Sequence, residues 1–300
     1  MPPGPWGRLV DSISQKLAFF PPRPATYTVE EHKDGSGQLF VAPVDSDNIP
    51  RVLQCTVLKL PTKATKKGNH GDVSEVVCAF VPYKSSKTSL NANVTILYSH
   101  GNAVDIGPMM PVYMGLSKLL KVNVMGYDYT GYGASAGELP SVGQTFADIT
   151  AVYEHLVSGI GLSPRNIILY GQSVGSGPTA YLGSVEPDLG GVVLHSPLLS
   201  GVRVLSPGLR WWPSFADVYP NHLMVPKINA PTLIMHGTED EVIHISCARR
   251  LHELTKNPVE PLWAGGFNHQ NLEMCSEYLP RLRDFVTLVE QRLGEQAKQL

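Results

Sequence analysis

From residue 94 onward, short apolar runs alternate with stretches of helical length. The runs fall at 94–98, 122–125, 167–170, 192–194, 232–235 and 260–263. Runs apolar on both faces and separated by helices predict an α/β fold, a mostly parallel central sheet flanked by helices. Chemistry on such a sheet gathers at the carboxyl ends of its strands. Between 28 and 93 the runs 39–44, 52–60 and 75–83 read as strands. The polar loops 61–72 and 84–93 read as hairpin connections. Ahead of them, Trp6, Leu9, Val10, Ile13, Leu17 and Phe20 recur at offsets of three, four and seven, one apolar stripe on a helix that Pro21 and Pro22 end. With Arg8 and Lys16 beside it, the stripe has two readings: an interfacial membrane contact over 6–20, or a helix packed on the body. The expected organisation is an amphipathic extension, 1–27, and one domain, 28–300.

Composition narrows the classes. The chain has 300 residues, 43% hydrophobic and 17% charged, enough apolar material for a large core and too much for a disordered chain. Lys+Arg 24 against Asp+Glu 26 leaves a net charge of -2, which argues against nucleic acid as a partner. No apolar run reaches the ~18 residues that suggest a spanning helix. The four cysteines, Cys55, Cys78, Cys247 and Cys275, show no CxxC pair and no zinc spacing, so neither metal nor other cofactor is expected. Without a secretory signal pattern, unbridged thiols and an intracellular, cytoplasmic setting are expected.

The chemistry begins at Gly171-Gln-Ser173-Val-Gly175, which follows the run 167–170 and precedes a helix-like stretch from 174 to 184. A G-x-S-x-G between strand and helix is a nucleophile turn. Side chains two residues either side of the serine would collide in so tight a turn, hence the glycines. The following helix aims its N–H groups where an oxyanion would form. A serine hydroxyl needs a base and an orienting carboxylate, on this sheet in the order Ser, acid, His. Asp240, just past the run 232–235, is the expected acid, with Glu239 and Glu241 as fallback. His269, after the last strand in a glycine-containing loop, is the expected base. His195, His100, His236, His155, His244 and His252 read as structural or surface residues.

The oxyanion donors are expected to be the N–H of Val174 and one from the loop after 94–98, on Asn102 with Ala103 as the near alternative; each is worth roughly 3 kcal/mol of barrier. The loop Gly126–Gly133 suits a pocket wall or a purely structural turn. A short lid segment is expected around 201–230, where Trp211, Trp212, Phe215 and Tyr219 would line an acyl pocket or pin the segment to the core. Burying ~14 methylenes there gives an upper bound of about 11 kcal/mol, enough to select a long chain.

Several motifs carry a resemblance: His100-Gly-Asn-Ala-Val-Asp, Tyr127-Asp-Tyr-Thr-Gly-Tyr-Gly-Ala-Ser, Leu169-Tyr-Gly-Gln-Ser-Val-Gly-Ser-Gly-Pro, Leu194-His-Ser-Pro-Leu-Leu-Ser-Gly and His236-Gly-Thr-Glu-Asp-Glu-Val-Ile. Over 90–290 the chain resembles the α/β-hydrolase domain-containing protein 17 family, membrane-associated protein depalmitoylases. The resemblance implies the α/β-hydrolase fold and a serine hydrolase with Ser173, Asp240 and His269 as its triad. It implies palmitoylated proteins as substrates. The chain departs from the family in two ways. The family's N-terminal cysteine cluster is absent, since the first cysteine is Cys55, and Phe267-Asn268 replaces a small pair before the histidine. The alternatives are a carboxylesterase or lipase acting on lipid or small oxygen esters, a peptidase, and a non-catalytic interaction protein on the same scaffold.

Overall fold

The computed structural model describes residues 19–44, 55–63, 73–83, 93–137, 141–201 and 217–297. The stripe from Trp6 to Leu17 and the aromatics Trp211, Trp212 and Phe215 lie outside them.

Among the described residues ten strands form one sheet: β1 (Tyr27–Glu31), β2 (Leu39–Pro43), β3 (Thr56–Lys63), β4 (Val73–Val81), β5 (Thr95–Ser99), β6 (Asn123–Tyr127), β7 (Ile167–Gln172), β8 (Gly191–His195), β9 (Thr232–Gly237) and β10 (Leu262–Ala264). Their order is β1-β2-β3-β4-β6-β5-β7-β8-β9-β10. The first four strands and the β4–β6 pair are antiparallel, as hairpin connections allow. From β6 to β10 all pairings are parallel, and β5 to β8 are buried at every position except Gln172 at the end of β7. Burial on both faces is why these strands read as continuous apolar runs.

Helices α1 (Ile106–Leu120), α2 (Val142–Glu154), α3 (Ser176–Val185), α4 (Ile245–Leu254) and α5 (Tyr278–Ala297) cover the faces. One core layer holds Ile149, Val152, Leu182 and Leu251; the other holds Met110, Tyr113, Leu282 and Phe285. Asp105 starts α1, accepting the Gly107 N–H, and Ser141 starts α2, accepting the Gln144 N–H.

Three elements depart from the sequence reading. β1 is an edge strand in which Thr28, Glu30 and Glu31 are exposed and Tyr27 alone is buried, too polar a run to stand out. The helix after Ser173 opens with a 3-10 turn, Ser173–Gly175, because Ser173 has φ 52 and cannot join an α-helix. The terminal helix begins at Tyr278, not Leu272: Leu272–Met274 is a separate 3-10 turn that ends at an extended Cys275.

The order β6-β5-β7 positions the site. After β5 the chain moves to one side, to β6, and later returns on the other side as β7. The loops after β5 and β7 therefore diverge and leave a crevice at their carboxyl ends, the switch point where ligands bind on such sheets.

Candidate active site

Ser173 stands at the end of β7 with φ 52, a left-handed conformation that a side chain other than glycine's adopts only under constraint. The glycines supply that constraint. A Cβ on Gly171 would lie 2.6 Å from the Gly175 carbonyl oxygen, and one on Gly175 would lie 2.2 Å from that of Ser99. The turn is thus pressed against the loop after β5, and only hydrogen fits at the two contacts.

His269 Nε2 lies 3.0 Å from Ser173 Oγ, and His269 Nδ1 lies 2.7 Å from Asp240 Oδ2. The structure therefore brings the predicted nucleophile, base and acid into one hydrogen-bonded line. Asp240 is buried; its Oδ1 accepts the N–H groups of Val242 (2.9 Å) and Ile243 (2.7 Å). His236 Nε2 stands 3.2 Å from Asp240 Oδ2 and 2.7 Å from the Ile243 carbonyl oxygen, so it braces the acid loop. Burial raises the Asp240 carboxyl, but hydrogen bonds from His236, His269 and Ile243 outweigh it and hold the group well below the usual carboxylate range. Glu239 and Glu241 are exposed beside it.

Backbone contacts couple the acid and histidine loops. The Thr238 N–H donates to the Ala264 carbonyl (2.9 Å), the Glu239 N–H to that of Phe267 (2.9 Å), and the Gly266 N–H to Thr238 Oγ1 (3.0 Å). Phe267 packs its carbonyl where a Cβ on Gly237 would sit, 2.2 Å away. Asn268 accepts the Gln270 N–H and donates its own N–H to Asn271, closing the turn before and after His269.

The loop after β5 faces Ser173 and is held from several directions. Asn102 Oδ1 accepts from the Tyr132 hydroxyl (2.6 Å), the Phe20 N–H (2.9 Å) and the Ala103 N–H (3.1 Å). The Ala103 N–H is thus turned to the Asn102 side chain. Val174, the other predicted donor, follows Ser173 at the start of the 3-10 turn. His100 Nδ1 is 2.8 Å from the Gly101 carbonyl oxygen and its Nε2 is 3.3 Å from Asp128 Oδ1, while Tyr129 packs on the ring at 4.5 Å. Asp128, fully buried, also accepts from the Tyr27 hydroxyl (2.5 Å) and the Ile106 N–H (2.9 Å). Burial raises its carboxyl; His100 and Tyr27 act against that rise. Asp105 takes the Thr26 N–H and, in a short contact, the Thr26 hydroxyl. The sequence reading missed these two acids. Their signal was a carboxylate set among aromatics in Tyr127-Asp-Tyr and one at a helix start.

The loop 126–133 therefore buttresses the loop after β5. Of the predicted acyl-pocket aromatics, only Tyr219 is among the described residues, and there it pins the chain. It is buried, its hydroxyl is 2.7 Å from Thr145 Oγ1, and its ring lies where a Cβ on Gly177 would sit. Phe19 meets that ring edge-on at 6.1 Å, and Phe20, on the predicted apolar stripe, is 54% exposed. Among the described residues no three His, Cys, Asp or Glu side chains are grouped as metal ligands, and no helix is long and apolar enough to cross a membrane.

Sheet, switch point and strained turn define an α/β hydrolase. A family model described as serine aminopeptidase, S33, matches residues 91–225. A solved structure of Pyrococcus furiosus esterase Pf2001, in space group P21, shares the fold, with 17% identity, a TM-score of 0.62 and coverage of 78% of this chain and 91% of that one. Human alpha/beta hydrolase domain-containing protein 17B is 40% identical over 92% of this chain and 91% of its own length. The Caenorhabditis elegans protein aho-3, of the same name class, is also 40% identical, over 92% of this chain and 78% of its own. The chain belongs to the alpha/beta hydrolase domain-containing protein 17 family.

Proposed function

We propose that the protein is a serine hydrolase that removes long-chain acyl groups, palmitoyl above all, from cysteine thioesters of proteins. The observation that carries the reading is the line Ser173 Oγ, His269 Nε2, His269 Nδ1, Asp240 Oδ2 at 3.0 and 2.7 Å. Ser173 Oγ attacks the acyl carbonyl while His269 Nε2 takes its proton. Asp240, ionised and hydrogen-bonded, holds the ring and stabilises the imidazolium. The N–H groups of Asn102 and Val174 hold the oxyanion. The cysteine thiolate leaves with the proton from His269, and water, activated by His269, then clears the acyl-enzyme and regenerates Ser173.

The leaving group separates this reading from an oxygen esterase. A thiol ionises near pH ~8.5, so a thiolate departs with little help, whereas an alkoxide needs the full proton from His269. Acylated proteins are the proposed partners. Peripheral membrane contact is proposed through the apolar stripe of residues 6–20, whose last member, Phe20, lies exposed beside Asn102. The test compares release of palmitate from a thioester-linked peptide and its oxygen-ester twin, with wild type and Ser173→Ala. Faster thioester turnover, reduced at least ~1,000-fold in the variant, is expected. Preference for the oxygen ester would move the protein to the esterase or lipase class. Serine-independent turnover would remove the mechanism.

A further inference from the structure

A second polar chain runs beside the triad, and the mechanism above uses none of it. Gln172, immediately before the nucleophile, donates from Nε2 to Glu273 Oε1 (3.0 Å) and accepts the Tyr98 hydroxyl at Oε1 (3.0 Å). Glu273 lies on the 3-10 turn Leu272–Met274, four residues after His269. His195, fully buried at the end of β8, faces the same carboxylate, its Nε2 3.9 Å from Glu273 Oε1. On its other side His195 Nδ1 is 2.8 Å from the Tyr170 hydroxyl, which is 2.7 Å from that of Tyr278.

The proton positions follow from these contacts. Burial, aided by His269 and His236, pulls the His195 imidazole down to about 3, so it is neutral and carries one N–H. If Tyr278 donates to Tyr170 and Tyr170 to Nδ1, that N–H sits on Nε2 and points toward the carboxylate. The opposite tautomer would set a lone pair against an anion. His195 Nε2 is buried with no hydrogen-bond partner among the described residues, and Glu273 Oε1 lies 3.9 Å from it. Burial raises the Glu273 carboxyl; its own backbone N–H, the nearby His269 charge and Gln172 pull the other way.

We propose that Glu273 is a second positioning carboxylate of this site. It tethers Gln172, and through it the strained turn that carries Ser173. The inference rests on the serine-hydrolase reading above. Glu273 acts from the turn Leu272–Met274, apart from the loop that bears Asp240.

The test measures kcat and KM of the full chain on one acyl thioester at a single neutral pH. Glu273→Ala removes the acceptor that Gln172 donates to and is expected to lower kcat about 3- to 10-fold with KM little changed. Glu273→Gln keeps an oxygen at the same place and should restore most of that loss. Gln172→Ala breaks the tether from the other side and should lower kcat to a similar extent, and the double variant should be no slower than either single one. Wild-type kcat in Glu273→Ala, or a Glu273→Gln as slow as Glu273→Ala, with wild type turning over through Ser173, overturns this proposal alone. Wild type without Ser173-dependent turnover overturns the reading beneath it.

Discussion

Asp148 and Asp240 are both buried carboxylates, and their surroundings drive them in opposite directions. Asp148 accepts from the Thr130 N–H (2.8 Å) and hydroxyl (2.9 Å), Gln144 Nε2 (3.0 Å) and the Thr62 hydroxyl (3.1 Å). Burial nevertheless dominates these bonds and pushes its carboxyl up to about 6. In the unfolded chain such a group titrates near pH ~4, so between the two values the folded state binds its proton more tightly. Its contribution to stability is full below about pH 4 and is lost as pH rises through about 6, by up to about 3 kcal/mol. Urea unfolding of wild type and Asp148→Asn at both ends of that window checks it: wild type should lose ground to the variant as pH rises, and parallel curves would contradict the sign. Asp240 has the reverse behaviour. Its hydrogen bonds from His236, His269 and Ile243 outweigh burial, so it stays ionised and its contribution is lost only in strong acid.

At the scale of elements, the turn from β7 into α3 is where local sequence and packing agree most closely. Gly171 and Gly175 are small because carbonyl oxygens of Gly175 and Ser99 occupy the space a Cβ would need. Gly175→Ala forces the serine turn and the oxyanion loop apart. The expected loss is about 2–4 kcal/mol, read as a lower denaturant midpoint at unchanged m, with turnover falling more than stability. The same substitution at Gly265, where a Cβ meets nothing within 4 Å, is the control and should leave the midpoint nearly in place. Apolar runs fully buried on both faces announced β5 to β8. The separate turn Leu272–Met274 did not announce itself, because Leu272 continues the apolar spacing of the helix that starts at Tyr278.

Across the whole molecule, the loop after β5 and its neighbour after β6 are strapped by chain from the far edge of the sheet. Thr26 holds Asp105, Tyr27 at the start of β1 holds Asp128, and the Phe20 N–H holds Asn102, at separations of 79 to 101 residues. The segment read as an extension therefore ends in contacts with the catalytic crevice. Tyr27→Phe removes a donor from a buried carboxylate without removing its ring. The expected result is a loss of about 1–3 kcal/mol of stability. A drop in kcat at little-changed KM should accompany it, since the loop that bears Asn102 loosens. Equal kcat in the two proteins would show that the strap serves folding only.

The nucleophile turn, the alternation that makes a parallel sheet, and the chain order of serine, acid and histidine were all legible in the residues alone. Each is a local pattern: tight turns need glycine, and strands covered on both faces need apolar runs. Tertiary structure decided which of the ten histidines meets Ser173, 96 residues away, and which acid meets that histidine 29 residues back. It also placed Glu273 beside Gln172, His195 under Glu273, and β1 against the oxyanion loop. Those pairings depend on strand order and on loops packing against each other. No local rule encodes them, because a hydrogen bond across such a span forms only after the hydrophobic core has set the distance.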